Sequence, residues 1–366
     1  MKIGRWVVDG HIHCGKKDHK APEVGADQTP AGKRRLPTFM GGEVEGVDNS
    51  DLAIFDMDAY DIDMGILLPS FTGTTKELYG DMVKKHPDRL RTCVMDTTTR
   101  IKAARGEEEW TIEAALAELD QALTAEPDVF VGIGEFAPGC MGTIRKPPSY
   151  EQRVDEWAGI AELAIKHDVV VHFHEYGGYG GMTTGLRPSA AWDVLGMTCS
   201  CYPELKVLIN HGGGQLEHEI REAVQFASSF PNVHLETGYW KAEHYEMAIW
   251  DQNVTCKRLI WGGGDTGSRI WMHHALRPAA RYLNEHQVLF NRTCWPADNR
   301  PEELSYAPDW YGWATHQIHR LKDLNLTTQD QINLIVGGNA ARLYKLPTPM
   351  PVDEMFAHGR PDLYIR

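Results

Sequence analysis

The stretch Arg5-Trp-Val-Val-Asp-Gly-His-Ile-His13 decides the fold that this sequence predicts. Its apolar run, residues 6–8, is typical of a short buried strand, and two histidines follow directly. Residues two apart on an extended chain point to the same face, so His11 and His13 are expected side by side. Paired imidazoles at the end of a buried strand make half of a metal site. The remaining ligands must then come from elsewhere in the chain.

The composition limits the class of protein. The 366 residues carry 37 basic and 51 acidic side chains, and the net charge of -14 argues against a nucleic-acid or anionic-membrane partner. The sequence has no run of 18 apolar residues and no secretory pattern at its start, so neither a membrane span nor a signal peptide is predicted. Seven scattered cysteines without a CxxC pair favour reduced thiols and a cytoplasmic location.

Short apolar segments alternate with helical spacers from residue 51 onward. Seven of them follow the first strand, at residues 64–68, 91–95, 128–135, 169–174, 206–211, 232–236 and 258–261. Apolar strands separated by helices favour a parallel sheet that is buried on both faces, and eight units favour a closed barrel. We therefore predict one domain over residues 1–366, a distorted (β/α)8 TIM barrel. It carries an inserted loop at residues 14–50, an excursion at about 268–326 and a C-terminal extension.

Polar residues fall at the carboxyl ends of these strands, where the chemistry of such barrels is located. Beyond the first histidine pair they are Glu135, His172, His174, His211 and Asp265. Each residue alone is explained equally well as a hydrogen-bonded structural histidine or a solvated carboxylate. Together, at one end of one barrel, they indicate a bound cation, because buried charges need compensation. Mixed imidazole and carboxylate ligands suit Zn, Mn or Fe.

Further residues are candidates for the pocket rim and for substrate binding. The aromatic cluster after strand seven consists of Tyr239, Trp240, His244 and Tyr245. Packing of this cluster under an inserted loop is an alternative of similar weight. A bidentate contact to a substrate carboxylate would suit Arg187, Arg221 or Arg269, although each is also explained as an ordinary surface arginine.

Several motifs resemble those of the amidohydrolase superfamily. Besides the paired histidines they are His86-Pro-Asp-Arg-Leu90, His211-Gly-Gly-Gly214 and Gly337-Gly-Asn-Ala-Ala-Arg-Leu343. They look like the branch that contains aminocarboxymuconate-semialdehyde decarboxylase and the hydroxybenzoate decarboxylases, and the resemblance runs from residue 5 to about 345. It implies metal ligands at His11, His13, His172 and Asp265. It also implies that His211 either binds a second metal or acts as acid/base on metal-bound water.

The end of strand four departs from the decarboxylase pattern. It reads Gly132-Ile-Gly-Glu135, and binuclear members of the superfamily carry a bridging glutamate or carboxylated lysine at that position. Glu135 would then bridge two ions. The first would be held by His11, His13 and Asp265, and the second by His172 and His211, with His174 beside them as a neighbour or further ligand. The competing arrangement has one ion, a free acid/base at His211, and Glu135 bonded to an amide or an arginine.

The resemblance and the ligand types together predict an enzyme with one or two divalent ions per chain. A bound ion brings the pKa of water to about 7 and polarises a carbonyl, while His211 and Asp265 are the candidates for proton transfer. We expect hydrolysis or decarboxylation of a small substrate that bears a carboxylate. The alternative is an oxygen-activating hydroxylase with a dinuclear Fe or Mn/Fe centre, of the 2-aminoisobutyrate hydroxylase type, which resembles amidohydrolases. A metal-binding subunit without turnover is a third, weaker interpretation.

The second excursion is rich in tryptophan. It contains Trp271, Trp295, Trp310 and Trp313. Indoles beyond the barrel would leave apolar surface exposed in a monomer. The sequence therefore predicts a homodimer or a hetero-oligomer with a related barrel.

Overall fold

Eight parallel strands form one sheet, in which each strand pairs with the next in chain order. The structure is a computed structural model that describes residues 2–14, 46–69, 75–140, 145–146, 148–174, 188–213, 217–238, 240–263 and 310–355. The strands are β1 Val8–Ile12, β2 Met64–Leu67, β3 Leu90–Val94, β4 Phe130–Ile133, β5 Val170–Phe173, β6 Lys206–Ile209, β7 Val233–Glu236 and β8 Leu259–Ile260. The Gly10 amide donates to the Trp261 carbonyl at 2.9 Å and links β1 to the residue after β8. The predicted (β/α)8 barrel is therefore confirmed, as a nearly closed barrel.

Eight helices lie between the strands, and four more of the described helices follow β8. They are α1 Ser50–Ala59, α2 Lys76–Lys85, α3 Thr97–Ala104, α4 Ile112–Ala125, α5 Tyr150–His167, α6 Pro188–Cys201, α7 Glu217–Ser229, α8 Ala242–Trp250, α9 Trp310–Asp323, α10 Gln329–Asn333, α11 Asn339–Leu343 and α12 Val352–Met355. Three of the barrel helices begin at a hydroxyl cap. The side chains of Thr75, Thr111 and Ser149 each accept a hydrogen bond from the amide three residues on. Such caps satisfy amides that lack a partner inside the helix, which is why the helices begin where they do.

The apolar core has an inner and an outer part. Residues from most strands meet inside the barrel, including Val8, Ile66, Cys93, Val170, Leu208 and Ile260. Residues of α11 and of the segment after it belong to the same cluster and close the end of the barrel at which the strands begin. They are Ala340, Leu343, Tyr344 and Leu346. The alternate strand positions pack outward against the helices in a second, larger cluster. Because the chemistry of such barrels lies at the carboxyl ends of the strands, this plug leaves the opposite mouth for the site.

The predicted excursions are only partly within the described residues. Residues 15–45 and 268–309 lie outside them, as do Trp271 and Trp295, so the inserted loop and the tryptophan-rich surface stay predictions. The end of the second excursion forms α9, which packs on α8. There Gln317 accepts a hydrogen bond from the Ala242 amide at 3.1 Å. Within the described part of the chain, we find no helix with the length and apolar character needed to cross a bilayer.

Candidate metal centre

A register shift in β1 directs the first histidine pair. Asp9 pairs with Gly65 of β2, but Ile12 pairs with Leu67, so β1 has one extra residue between them. In a regular strand Val8 and Ile12 would share a face, yet Val8 belongs to the inner cluster and Ile12 to the outer one. A bulge of this kind changes which face the later side chains occupy. It turns His11 and the second histidine of the motif toward the barrel axis.

The two β1 histidines meet through their Nε2 atoms, which lie 3.2 Å apart. The other ring nitrogen of each has an acceptor: His11 Nδ1 donates to Glu236 Oε2 at 3.0 Å, and His13 Nδ1 donates to the Leu68 carbonyl at 3.0 Å. Donation from Nδ1 fixes the tautomer in which Nε2 carries a lone pair. Both Nε2 atoms are therefore prepared to bind a metal.

A second histidine pair lies opposite, at the ends of β5 and β6. The Nε2 atoms of His174 and His211 are also 3.2 Å apart. The His211 ring stacks on the His11 ring at a centroid distance of 4.8 Å, which brings the two pairs together. The chain turns sharply here, with φ of 54° at His211 and 52° at Gly212. A Cβ at Gly212 would lie 2.4 Å from the Trp240 indole, so the turn needs glycine for both conformation and space.

Glu135 lies between the two pairs. Its Oε1 is 3.2 Å from His174 Nε2 and 3.9 Å from His11 Nε2, and its Oε2 is 3.5 Å from His13 Nε2. One carboxylate thus faces both pairs, with a different oxygen nearest to each. All five side chains are buried. This is the placement expected of a bridging carboxylate.

The donor set fits divalent ions. Two nitrogen ligands at about 2.1 Å from one ion lie roughly 3.0–3.4 Å apart in octahedral or tetrahedral geometry, and both histidine pairs have this spacing. Ligand atoms of His11, Glu135 and His211 all lie within 4.8 Å of one another. Four imidazoles and one carboxylate suit Zn, Mn or Fe, and burial of an anion among them favours a compensating cation. The predicted metal site therefore has chemically suitable residues in a suitable arrangement.

Glu236 is a residue of the site that the sequence interpretation did not single out. Its Oε2 also accepts the His211 amide at 2.7 Å, and its Oε1 accepts the Gly238 amide. Burial alone would raise its pKa, but the charge of His11 and these hydrogen bonds outweigh burial and lower the pKa of Glu236. A Cβ at Gly262 would lie 1.8 Å from its Oε1, so the glycines after β8 make room for it. Glu236 ends β7, and the strand-end rule that selected Glu135 would also have selected it.

His172, the predicted ligand from β5, lies one layer deeper in the barrel. Its Nδ1 donates to Asn210 Oδ1 at 2.7 Å, and its Nε2 lies 3.1 Å from the Tyr344 hydroxyl and 3.4 Å from Cys93 Sγ. Burial lowers the pKa of His172 to about 3, so the ring is neutral. Within the described residues both of its nitrogens face protein groups of the barrel interior. The β5 side chain that meets His211 and Glu135 is instead His174.

Asp9 forms a further buried contact next to the site. Its Oδ1 accepts the amides of His11 at 3.0 Å and Gly263 at 3.1 Å, and its Oδ2 accepts the Tyr311 hydroxyl at 2.7 Å. Burial raises the pKa of Asp9 to about 7 in spite of these hydrogen bonds. The contacts tie the β1 bulge to β8 and α9, which holds His11 in place.

The remaining predicted residues have different positions. Trp240 is buried, and its Nε1 donates to the His211 carbonyl at 3.0 Å, so it supports the second histidine pair. The Nδ1 of His244 accepts the Lys241 amide at 3.2 Å, which makes it a cap of α8. Arg221 is exposed on α7 and pairs with Glu217 at 3.2 Å, away from the ligand cluster. Four candidates lie outside the described residues: Arg187, Tyr239, Asp265 and Arg269.

Sequence comparison assigns the family. A family profile described as Amidohydrolase matches residues 8–346, which is nearly the whole chain. The chain belongs to the amidohydrolase family. Among curated proteins, no sequence match to this amidohydrolase is found.

Solved structures similar to this amidohydrolase include three bacterial proteins. An uncharacterised TIM-barrel protein of Bordetella bronchiseptica has a TM-score of 0.48 and 14% identity, covering 81% of this chain and 82% of its own. An amidohydrolase of Burkholderia multivorans with bound zinc has a TM-score of 0.49 and 14% identity, over 93% and 100% of the two chains. Amidohydrolase 2 of Bifidobacterium longum subsp. infantis has a TM-score of 0.45 and 13% identity, over 93% and 99%.

Proposed function

We propose that this amidohydrolase holds two divalent ions and hydrolyses a small substrate that bears a carboxylate. The observation that supports the proposal is the shared position of Glu135 between two histidine pairs of equal spacing. A single ion would bind one histidine pair and one carboxylate oxygen. The other two imidazoles and the second carboxylate oxygen would then take no part in metal binding. Two ions use every donor of the cluster.

The proposed ligand sets follow from the contacts. His11 and His13 hold the first ion, and the sequence adds Asp265 as its third protein ligand. His174 and His211 hold the second ion, so that His174 takes the position first expected of His172. Glu135 bridges the two, with Oε1 toward His174 and Oε2 toward His13.

The chemistry divides between the ions and the chain. When bound, divalent ions supply Lewis acidity, which polarises a substrate carbonyl and brings the pKa of water near about 7. Glu236 holds His11 by its Nδ1 hydrogen and keeps the ring oriented. Trp240 and Phe136 pack against the second histidine pair and keep bulk water from its outer side. With His211 engaged as a ligand through its ring nitrogen, Asp265 would serve both as a ligand and as the group that transfers protons.

Hydrolysis is favoured over decarboxylation because of the bridge. With Glu135 shared between two ions, the centre would supply an activated water, which is the nucleophile that a hydrolase needs, whereas loss of CO₂ requires no nucleophile. Among the arginine candidates for the substrate carboxylate, Arg187 and Arg269 remain, since Arg221 pairs with Glu217 on the exposed face of α7.

Metal analysis tests the proposal directly. The protein is expressed with zinc, manganese and iron each supplied, and metal per chain is measured for the wild type, for Glu135→Ala and for Glu113→Ala, an exposed glutamate of α4. We expect two ions in the wild type and the control, and about one in Glu135→Ala. One ion per chain in the wild type, unchanged in Glu135→Ala, would return the protein to the mononuclear, decarboxylase-like class.

The reaction class needs a second measurement. The loaded protein is assayed for release of ammonia, amine or alcohol from small amides, lactones and esters that carry a carboxylate, under air and under nitrogen. Turnover that is equal in the two atmospheres supports hydrolysis. Substrate-dependent oxygen consumption by the iron or manganese form would instead assign the oxygen-activating hydroxylase, which the same ligand set would serve.

A further inference from the structure

Three arginines hold the loop that follows Glu135. Arg100 Nη2 donates to the Ala137 carbonyl at 3.1 Å, Arg153 Nη1 to Pro138 at 2.7 Å, and Arg145 Nε to Gly139 at 3.2 Å. The three carbonyls are consecutive, and the three donors come from α3, from α5 and from the segment before α5. We call Arg100, Arg145 and Arg153 the arginine clamp.

Two buried carboxylates offset part of the positive charge of the clamp. Arg100 Nε donates to Asp96 at 2.7 Å, and Glu156 accepts Arg145 Nη2 at 2.8 Å and Arg153 Nη1 at 3.0 Å. Burial would raise the pKa of Glu156, but the hydrogen bond from Arg145 and the charge of Arg153 lower it, so the carboxylate is ionised. Charge-assisted hydrogen bonds of this kind are about twice as strong as neutral ones. The loop is thus held far more firmly than a surface loop.

The loop also packs closely against the clamp. Gly139 has a φ of 76°, and a Cβ there would lie 2.6 Å from Arg145 Nη2 and 2.7 Å from the Trp110 ring. Trp110 itself donates its Nε1 hydrogen to Asp96 at 2.7 Å, and the Arg145 guanidinium lies 4.3 Å above its ring. Close packing on both sides leaves the backbone of residues 137–139 little freedom to shift.

The clamped loop begins at the bridging carboxylate. Glu135 is only two residues before Ala137, and Phe136 between them packs against the His174 ring at a centroid distance of 4.7 Å. On the barrel side, Asn210 Nδ2 lies 3.4 Å from the Glu135 carbonyl, and the Glu135 amide lies 3.4 Å from the Pro69 carbonyl. These two contacts are long, so the shorter clamp contacts are the stronger restraint on this segment.

We propose that Arg100, Arg145 and Arg153 are positioning residues that fix Glu135 and His174 for the second metal ion. The inference rests on the proposed dinuclear site. Its physical basis is that a metal ligand must be held within about 0.5 Å of the position in which it binds the ion. Replacing a residue that supports such a ligand lowers metal affinity about 10–100-fold. The first ion shares only the Glu135 bridge with this loop, and its other ligands, His11 and His13, come from the end of β1, so it should depend less on the clamp.

The test compares stepwise metal affinities. Arg145→Met removes the outermost member of the clamp, while Glu156 keeps its contacts to Arg153 and Gln152. Arg145→Lys retains a charged donor, and Arg221→Met makes the same change at an exposed arginine of α7. The two dissociation constants of zinc are measured by chelator competition for each protein, together with the melting temperature of the metal-free form.

We expect Arg145→Met to weaken binding of the second ion about 10–100-fold and to weaken binding of the first, which shares only Glu135 with the loop, by less. Arg145→Lys should lower the affinity for the second ion less than Arg145→Met does, and Arg221→Met should leave it unchanged. Equal affinities for the second ion in Arg145→Met and wild type would overturn the inference, and so would equal weakening of both ions with a lower melting temperature, which indicates a general structural role. A wild type that binds a single ion would overturn the proposed function itself, which is a different result from either.

If Arg145→Met does not fold, Arg100→Lys keeps the inference testable. It preserves the charge beside Asp96 but cannot contact both Asp96 and the Ala137 carbonyl as a guanidinium does. The same selective loss of the second ion is expected, and unchanged affinity for it would again overturn the inference.

Discussion

Glu236 Oε2 accepts a hydrogen bond from His11 Nδ1 at 3.0 Å and another from the His211 amide at 2.7 Å. The carboxylate therefore contacts one histidine of each pair that is proposed to bind metal, from a strand that supplies none of the proposed ligands. Carboxylates that accept the second ring hydrogen of a metal-binding histidine raise its basicity and fix its direction.

Glu236→Gln should weaken metal binding by about 10–100-fold. Its nearest neighbours, His11 Nδ1 and the amides of His211 and Gly238, all donate hydrogen bonds to the carboxylate, so an amide NH₂ in place of one oxygen would lose an acceptor that they need. Chelator competition measures the loss. Glu243→Gln, at an exposed carboxylate of α8 paired with Arg320, is the matched control, and equal affinities for the two variants would refute the role of Glu236.

His174→Gln and His172→Gln should differ in metal content. His174 contacts His211 and Glu135, so its replacement is expected to lower the metal content by about one ion per chain. His172 contacts Asn210, Tyr344 and Cys93 in the barrel interior, and its replacement should reduce stability while both ions remain. Metal analysis and thermal unfolding of the two variants decide the matter. The opposite result would make His172 the ligand from β5.

Gly212→Ala should be more harmful than Gly106→Ala. Both glycines have positive φ, which costs alanine about 1 kcal/mol, but only at Gly212 would a Cβ meet a neighbour, the Trp240 indole at 2.4 Å. Overpacking adds roughly 1–3 kcal/mol, and the displaced turn carries His211 with it. Urea unfolding should show this difference, and metal should be lost only from Gly212→Ala. Equal destabilisation of the two variants would mean that Trp240 moves aside at little cost.

His244 should make the protein less stable in acid. Burial and the charge of Lys241 lower its pKa to about 4, from 6.5 in an unfolded chain. Between these values the unfolded state binds more protons, so stability is full above pH 6.5 and falls as the pH drops toward 4, by up to about 3 kcal/mol. His244→Gln should remove this part of the loss, measured by urea unfolding between pH 4 and 7. Parallel pH profiles for variant and wild type would contradict the assignment.

The barrel itself was predictable from the sequence, because its eight buried strands are short apolar runs with helical spacers between them. The depth at which each inward-facing side chain lies in the barrel was not predictable. Alternation along β5 places His172 and His174 on one face. Which of them reaches the mouth of the barrel depends on Asn210, which follows β6, and Tyr344, which follows α11. The bulge in β1 is likewise a property of its pairing with β2, and no local pattern announces it.

The arginine clamp could not be predicted from the sequence, for a different reason. Arg100, Arg145 and Arg153 have no distinctive spacing, and arginines in helices are usually surface residues. Their role appears only when the chain brings three of them to consecutive carbonyls of one loop. Glu236, by contrast, was within reach of sequence reasoning, since it ends a predicted strand as Glu135 does.

The hydrogen bond between Asp9 and Tyr311 spans 302 positions of the chain, and that between Gly10 and Trp261 joins the first strand to the last. During synthesis His11 and His13 emerge long before Trp261 and Tyr311, the residues whose contacts hold β1 in place. Contacts of such long range form late, because the intervening chain must be ordered before they are made. A nascent chain that ends before β7 lacks Glu236 altogether. Loading of the proposed metal centre should therefore wait until the chain has been synthesised through β7, β8 and α9.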